Sequence, residues 1–498
     1  MSSVPNPVER QSVSARSLFR NILFSSGLYS IALIGQRLIG VLLLSITTRF
    51  LETSDYGVLE LLEQTTSVIT LLLGLNLSAA LGYFYFHEDS AEGRRSAIGT
   101  TLYGSAIVGL VIALAGWAAS GGLSKLVFRN ATYAPYLVLV FLGLPIALLA
   151  EAGMTWLRVE NRQKAFVIAA LGRNGLSCFS AIVFVALLRW HVWGMLYTNL
   201  LAASCAALGL VFYCYKVGKP LFEMKLLLRM MRFSLPIGIS TIAVFIIHFG
   251  DRFVLTRYLP LSEIGLYGLA YKLGMLISVV QASFETYWSA QVYQIVRRED
   301  ARVVVARVFS YLVLAMTFSG LALMVATRPG LRILAPPSYA GAAVLVPIIL
   351  AAYILRTMGD FFRTFFYVTK HPPYDAVCNW IGAVVCMAGY LILIPIAGTK
   401  GAAFATLLAF FVIGVISAVW VYQVRPYQLE GTRLAKIGLA TGVSAVGYYL
   451  LPVPGTLIAQ IGWGILLLLA QPLVLILLGF LTPGEWEIVR SLPGRLRS

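Results

Sequence analysis

Twelve charged residues stand inside otherwise apolar stretches of this 498-residue chain. They are Arg37, Arg173, Arg252, Lys272, Arg356 and Arg363, against Glu60, Glu63, Glu151, Asp251, Glu285 and Asp360. At mid-bilayer each charge costs at least about 2.5–3.5 kcal/mol on insertion scales, so each should face protein or water. Arg37 and Arg356 lie nearest the middle of their stretches, one in each half of the chain. Arginine offers a planar fork of donors matched to phosphate oxygens, so one arginine per half suits a compact dianion such as a lipid diphosphate. An intramembrane ion pair or a snorkelling side chain also accounts for Arg37. Arg356, Asp360 and Arg363 share a helix face and can neutralise one another.

The other charges carry paired readings too. Asp251 and Lys272 can form a buried structural pair, or with Arg252 they can belong to a site. Arg173, followed by Asn174, can line a cavity. Glu151 and Asp360 are equivalent at an offset of 209 residues. A carboxylate kept at one place in both halves can carry protons, or serve as a packing hydrogen bond. His248, mid-stretch, is a polar packing residue or a proton relay. Glu60 and Glu63 repel if both are ionised and could hold a proton or cation. No nucleophile triad, Gly-rich phosphate loop or metal-ligand spacing is visible, and the five cysteines have no paired spacing, so neither cofactor nor metal is expected.

The elements that must hold these residues are membrane helices. The chain is 59% hydrophobic and 12% charged, whereas soluble chains are about a quarter charged. That excludes a soluble enzyme or binding module. Fourteen apolar segments of spanning length run between residues 22 and 481, joined by short loops. With the N-terminus inside, twenty-four basic residues fall on the cytoplasmic side and eight outside, which makes both termini cytoplasmic. The net charge of +17 is therefore mostly topology signal, not nucleic-acid binding.

A repeat organises the segments. Arg49-Phe-Leu-Glu-Thr-Ser-Asp-Tyr-Gly57 returns as Arg257-Tyr-Leu-Pro-Leu-Ser-Glu-Ile-Gly265, 208 residues on, and Gly194 pairs with Gly401 at 207. Six is even, so the two six-helix repeats are parallel. The expected organisation is a cytoplasmic tail (1–21), an N-lobe (22–215), an amphipathic linker on anionic lipid (216–232), a C-lobe (233–423), an added helix pair (424–481) and a cytoplasmic tail (482–498). Within each motif Ser54 and Ser262 are expected to cap a helix start, with Asp55 and Glu263 in its first turn.

Arg49 to Gly57 with Gly74-Leu75-Asn76-Leu77, Ser234-Leu235-Pro236, Asp251-Arg252-Phe253 and Gly265-Leu-Tyr-Gly-Leu-Ala-Tyr-Lys272, and Pro395-Ile-Ala-Gly-Thr-Lys-Gly401, resemble the polysaccharide-exporter family. That family includes Wzx-type oligosaccharide flippases and shares a superfamily with multidrug antiporters and lipid II flippases. The resemblance implies an all-α polytopic protein with two lobes around a central cavity. Alternating access would carry an undecaprenyl-diphosphate-linked oligosaccharide to the periplasmic leaflet of a bacterial inner membrane, for O-antigen or exopolysaccharide synthesis. In related flippases cations on the first and eighth helices serve the cavity, which Arg37 and Lys272 match here. H+ or Na+ coupling and association with a polysaccharide polymerase are further expectations. A cation antiporter, a lipid II flippase and, less well, a glycan polymerase or ligase remain alternatives.

Overall fold

The computed structural model describes residues 35–482 and Glu485, apart from 37–38, 74–76, 425–428 and 453. Arg37, Asn76, the N-terminal tail and nearly all of the C-terminal tail therefore lie outside the described residues. Every regular element among the described residues is helical. In chain order these are α1 (Ile39–Phe50), α2 (Thr53–Leu73), α3 (Leu77–His87), α4 (Ala91–Phe128), α5 (Ala134–Val159), α6 (Gln163–Ala181), α7 (His191–Gly218), α8 (Met224–Leu255), α9 (Leu261–Gly274), α10 (Ser278–Ile295), α11 (Ala301–Leu334), α12 (Val346–Val368), α13 (Pro373–Val424), α14 (Gly431–Leu450) and α15 (Leu457–Leu477).

The chain divides into two compact units. Unit 1 gathers the described residues of Met1–Thr47, Leu73–Ser120 and Pro135–Pro236; unit 2 gathers those of Thr48–Leu72, Gly121–Ala134 and Ile237–Ser498. Among the described residues, eight helices are long and apolar enough to cross a membrane, or nine if the bent pair Pro337–Val344 and Val346–Val368 forms one span. The difference from fourteen has identifiable causes. α2 carries Asp55, Glu60 and Glu63, which dilute its hydropathy. α13 holds two expected segments in one run of 52 residues. Straight, such a helix would measure about 78 Å, more than twice a hydrocarbon core. It bends at Gly398, whose φ of 56° and ψ of −132° belong to a region that only glycine enters without strain.

In unit 2 the repeated motif meets its own copy. A Cβ on Gly57 would stand 2.0 Å from the Leu261 carbonyl oxygen, and one on Gly265 would stand 2.0 Å from that of Thr53. The two glycines let the first turns of α2 and α9 touch backbone to backbone. The serines do not cap as the spacing suggests. α2 begins at Thr53, so Ser54 is already helical, and its hydroxyl donates to Glu52 at 3.4 Å. α9 begins at Leu261 after Pro260, with no side-chain cap. Asp55 and Glu263 do occupy the first turns, where the positive end of the helix dipole favours them.

The α14–α15 pair is tied to α11 by polar contacts along its length. Arg433 gives Glu485 two hydrogen bonds of 3.0 and 2.8 Å, and the Tyr311 hydroxyl adds a third at 2.5 Å. Ser310 donates to Glu430 at 2.8 Å, and Arg307 approaches the same carboxylate at 3.3 Å. Deeper, Gln471 donates to Thr317 and Thr441 at 3.2 and 2.9 Å. Partial burial pushes the Glu485 carboxyl up, but the donors from Arg433, Tyr311 and Thr482 outweigh it and hold it at about 2. Its stabilisation is thus full above the ordinary value of 4.5 and is lost as pH falls through about 2. Glu485→Gln should destabilise the protein by about 1.5–3 kcal/mol. Thermal melts should show that deficit unchanged from neutral pH down to about 5, shrinking only at lower pH; a deficit that vanishes by about pH 6 would contradict the assignment.

Candidate functional site

Unit 2 contains a charge network where α2, α8 and α9 meet. Arg252 is its hub, 1% exposed, with Asp251 at 0% and Glu60 at 2%. The guanidinium reaches Asp251 at 2.7 Å, Glu60 at 3.2 Å and the His248 carbonyl at 2.9 Å. Tyr267 donates to the other Asp251 oxygen at 2.5 Å, and the Tyr271 ring lies 4.2 Å below the guanidinium carbon. Gly268 leaves the room that Glu60 needs, since a Cβ there would meet its carboxyl carbon at 2.8 Å. Asp251 is therefore partnered by Arg252 and Tyr267, not by Lys272. Lys272 instead approaches Glu60 at 3.6 Å and Glu63 at 3.5 Å, with its side chain 44% exposed. Arg252 is enclosed by protein and offers no face to a ligand; Lys272 does.

A separate cavity of about 590 Å³ opens within unit 2 between α8, α10, α12 and α13. His248, Arg356 and Asp360 line it, as do Arg363 and Glu285. Asp360 is its central acceptor. Arg363 donates to one oxygen at 2.9 Å, and Arg356 approaches the other at 3.4 Å. Gln281 bridges Asp360 and Glu285 with bonds of 2.9 and 2.8 Å. Arg363 also holds Asp375 at 2.6 Å, and the Tyr367 hydroxyl donates to Asp375 at 3.2 Å. The Tyr353 hydroxyl lies 3.4 Å from His248 Nδ1. Tyr367, Asp375 and Asn379 in the wall, and Gln281 behind it, are residues that the sequence reading passed over. The turn at His371-Pro372-Pro373 between α12 and α13 was the available signal, because it folds Asp375 back towards Arg363.

Unit 1 has its own polar pocket of about 420 Å³. Arg173 and Asn174 on α6 line it, with Glu151 and Arg158 on α5, Asn199 on α7, and Gln36. Arg158 is occupied, bonding Glu151 at 3.1 Å and Thr155 at 2.8 Å. Arg173 has no carboxylate partner among the described residues. Glu151 and Asp360, equivalent in the repeat, thus each line a cavity of their own unit and each accept from an arginine. Arg158, Asn199 and Gln36 were missed by the sequence reading. An i, i+7 spacing puts Arg158 on the Glu151 face, two turns on, and would have found one of them.

A polytopic helical bundle with a polar pocket in each of two units has the fold of a known transporter class. It is similar to the lipid II flippase MurJ in its inward closed conformation, with a TM-score of 0.74 and 14% identity, covering 89% of this chain and 98% of that one. It is also similar to an inward-facing MATE multidrug resistance transporter of the MOP superfamily (TM-score 0.64, 17% identity, 78% and 94% covered). A third likeness is to the MATE multidrug transporter DinF-BH (0.60, 15%, 85% and 99%). At these identities the shared property is the fold. A search of curated proteins gives no match. The family described as polysaccharide biosynthesis protein matches residues 22–287, more than half of the chain, and the chain belongs to that family.

Proposed function

We propose that this protein is a flippase. It carries a polyprenyl-diphosphate-linked oligosaccharide from the cytoplasmic to the periplasmic leaflet of a bacterial inner membrane by alternating access, and is not an enzyme. The observation that carries this reading is the unit 1 pocket. It presents Arg173, which no carboxylate contacts among the described residues because Glu151 in the same pocket is held by Arg158, beside the amides of Asn174, Asn199 and Gln36, a set of donors suited to phosphate oxygens. Family membership supports the glycan, and the transporter fold supports movement across the bilayer. Arg37, from the same half of the chain, is the further cation proposed for the diphosphate, while Arg356 serves the cavity of unit 2 and Lys272, beside Glu60 and Glu63, is a proposed cargo contact outside that cavity. Glu151, Asp360 and His248 are the groups proposed for coupling to H+ or Na+.

A cation antiporter is the second reading, favoured by the carboxylates of the unit 2 cavity. One experiment separates the two. The purified protein is placed in liposomes with a fluorescent undecaprenyl-diphosphate-linked oligosaccharide, and its accessibility to an external quencher is followed. The flippase reading expects protein-dependent exchange of the lipid between leaflets. Liposomes that exchange tetraphenylphosphonium for protons or Na+ but leave the lipid in place would establish the second reading instead.

A further inference from the structure

The unit 2 cavity carries the opposite charge balance from the pocket of unit 1. Its two arginines, Arg356 and Arg363, face three carboxylates, Glu285, Asp360 and Asp375. Arg363 is held by Asp360 and Asp375 together, and Arg356 shares Asp360. Glu285 has no cationic partner among the described residues; only the Gln281 amide reaches it. A diphosphate entering here would meet three carboxylates with every arginine already engaged, and like-charge juxtaposition costs several kcal/mol. Composition alone hides this, because intramembrane cations and anions are balanced over the whole chain.

The remaining chemistry of the walls is that of hydroxyl recognition. Carboxylate oxygens accept from O–H groups, the Asn379 amide and the Tyr293 hydroxyl both donate and accept, and the Thr286 and Ser289 hydroxyls, which donate to the Ala282 and Thr286 carbonyls, keep lone pairs that accept. Phe410 adds an apolar ring face, and the negative face of an aromatic ring attracts the weakly positive C–H groups of a pyranose. The volume lies within the usual range of small-ligand sites, roughly 300–1,000 Å³. We infer that this cavity is a glycan subsite that accepts neutral or amino sugars and rejects sugars bearing a carboxylate, with Glu285 as the specificity-determining residue. The inference rests on the flippase reading and deepens it: the cavity reads the cargo's sugars, and its charge selects among them.

The test uses the full-length protein in liposomes with two probes. One is an undecaprenyl-diphosphate-linked oligosaccharide of neutral hexoses; the other is the same lipid with glucuronate replacing one hexose. Wild-type protein should flip the neutral probe at least about tenfold faster, the ratio that about 1.4 kcal/mol of discrimination supplies. Glu285→Gln keeps the shape and the amide contact but removes the charge, and should bring the ratio close to one by speeding the glucuronate probe. Asn379→Asp adds a charge and should widen the ratio. The ratio within one preparation does not depend on how much of a variant folds. Equal wild-type rates for the two probes, or a ratio untouched by Glu285→Gln, would overturn the inference and leave the flippase reading standing. A wild-type protein that flips neither probe overturns both.

Discussion

Replacing Arg252 by methionine should leave little folded protein in the membrane. The substitution keeps the apolar stem but strands Asp251 as a buried carboxylate with no cation and leaves Glu60 with Lys272 alone, at 3.6 Å. Each is at most 2% exposed, so water cannot take over from the guanidinium. Removing one partner of a buried ion cluster costs about 3–5 kcal/mol, a large share of the total stability of about 5–15 kcal/mol that folded proteins possess. Lysine should rescue only part of this. A single ammonium does not reproduce the fork that spans Asp251, Glu60 and the His248 carbonyl at once, nor the flat stack on Tyr271. Neutralising the stranded acids should do better. Arg252→Met combined with Glu60→Gln and Asp251→Asn should recover much of the lost thermal stability, because the penalty lies in uncompensated charge and not in lost packing. Melting of solubilised protein from matched membranes checks the series; an Arg252→Met protein as heat-stable as wild type would remove the hub role.

The same network shows where sequence legibility ends. Hydrophobic runs reveal the helices, because a bilayer forces every buried backbone group into them. The 208-residue repeat is visible as residue types, yet the reason for its glycines appears only when α2 and α9 touch. Pairs on one helix face are readable from spacing, as with Arg356, Asp360 and Arg363. Pairs across helices are not. Asp251 has two cations near it in sequence, and the rule that i and i+1 do not face each other favours the distant Lys272. The longer reach of Arg252 defeats the rule, because its guanidinium folds back across the turn to satisfy Asp251 and Glu60 together. Charge balance misleads in a similar way. Equal numbers of intramembrane acids and bases over the chain conceal one pocket with a spare cation and another with a spare anion.

That spare cation gives the second large expected effect. Arg173→Ala should slow flipping of a polyprenyl-diphosphate-linked oligosaccharide by roughly 10- to 150-fold at subsaturating substrate, since a hydrogen bond to a charged group contributes about 1.5–3 kcal/mol. Stability should hardly change, because no buried acid among the described residues depends on Arg173; that separates it from Arg252, whose loss is structural. Lysine at this position keeps the charge without the planar fork and should fall between wild type and alanine. Arg173→Glu places a carboxylate against the phosphates and should abolish flipping in a protein that still melts normally. Arg158 is the internal control for geometry. It lines the same pocket but is already held by Glu151 and Thr155, so Arg158→Gln combined with Glu151→Gln, which removes the pair without leaving a bare carboxylate, should cost flipping less than Arg173→Gln does. Initial rates in liposomes, read beside the melting curves, check the ordering. Flipping by Arg173→Ala within about twofold of wild type, less than about 0.5 kcal/mol, would take the diphosphate out of the unit 1 pocket.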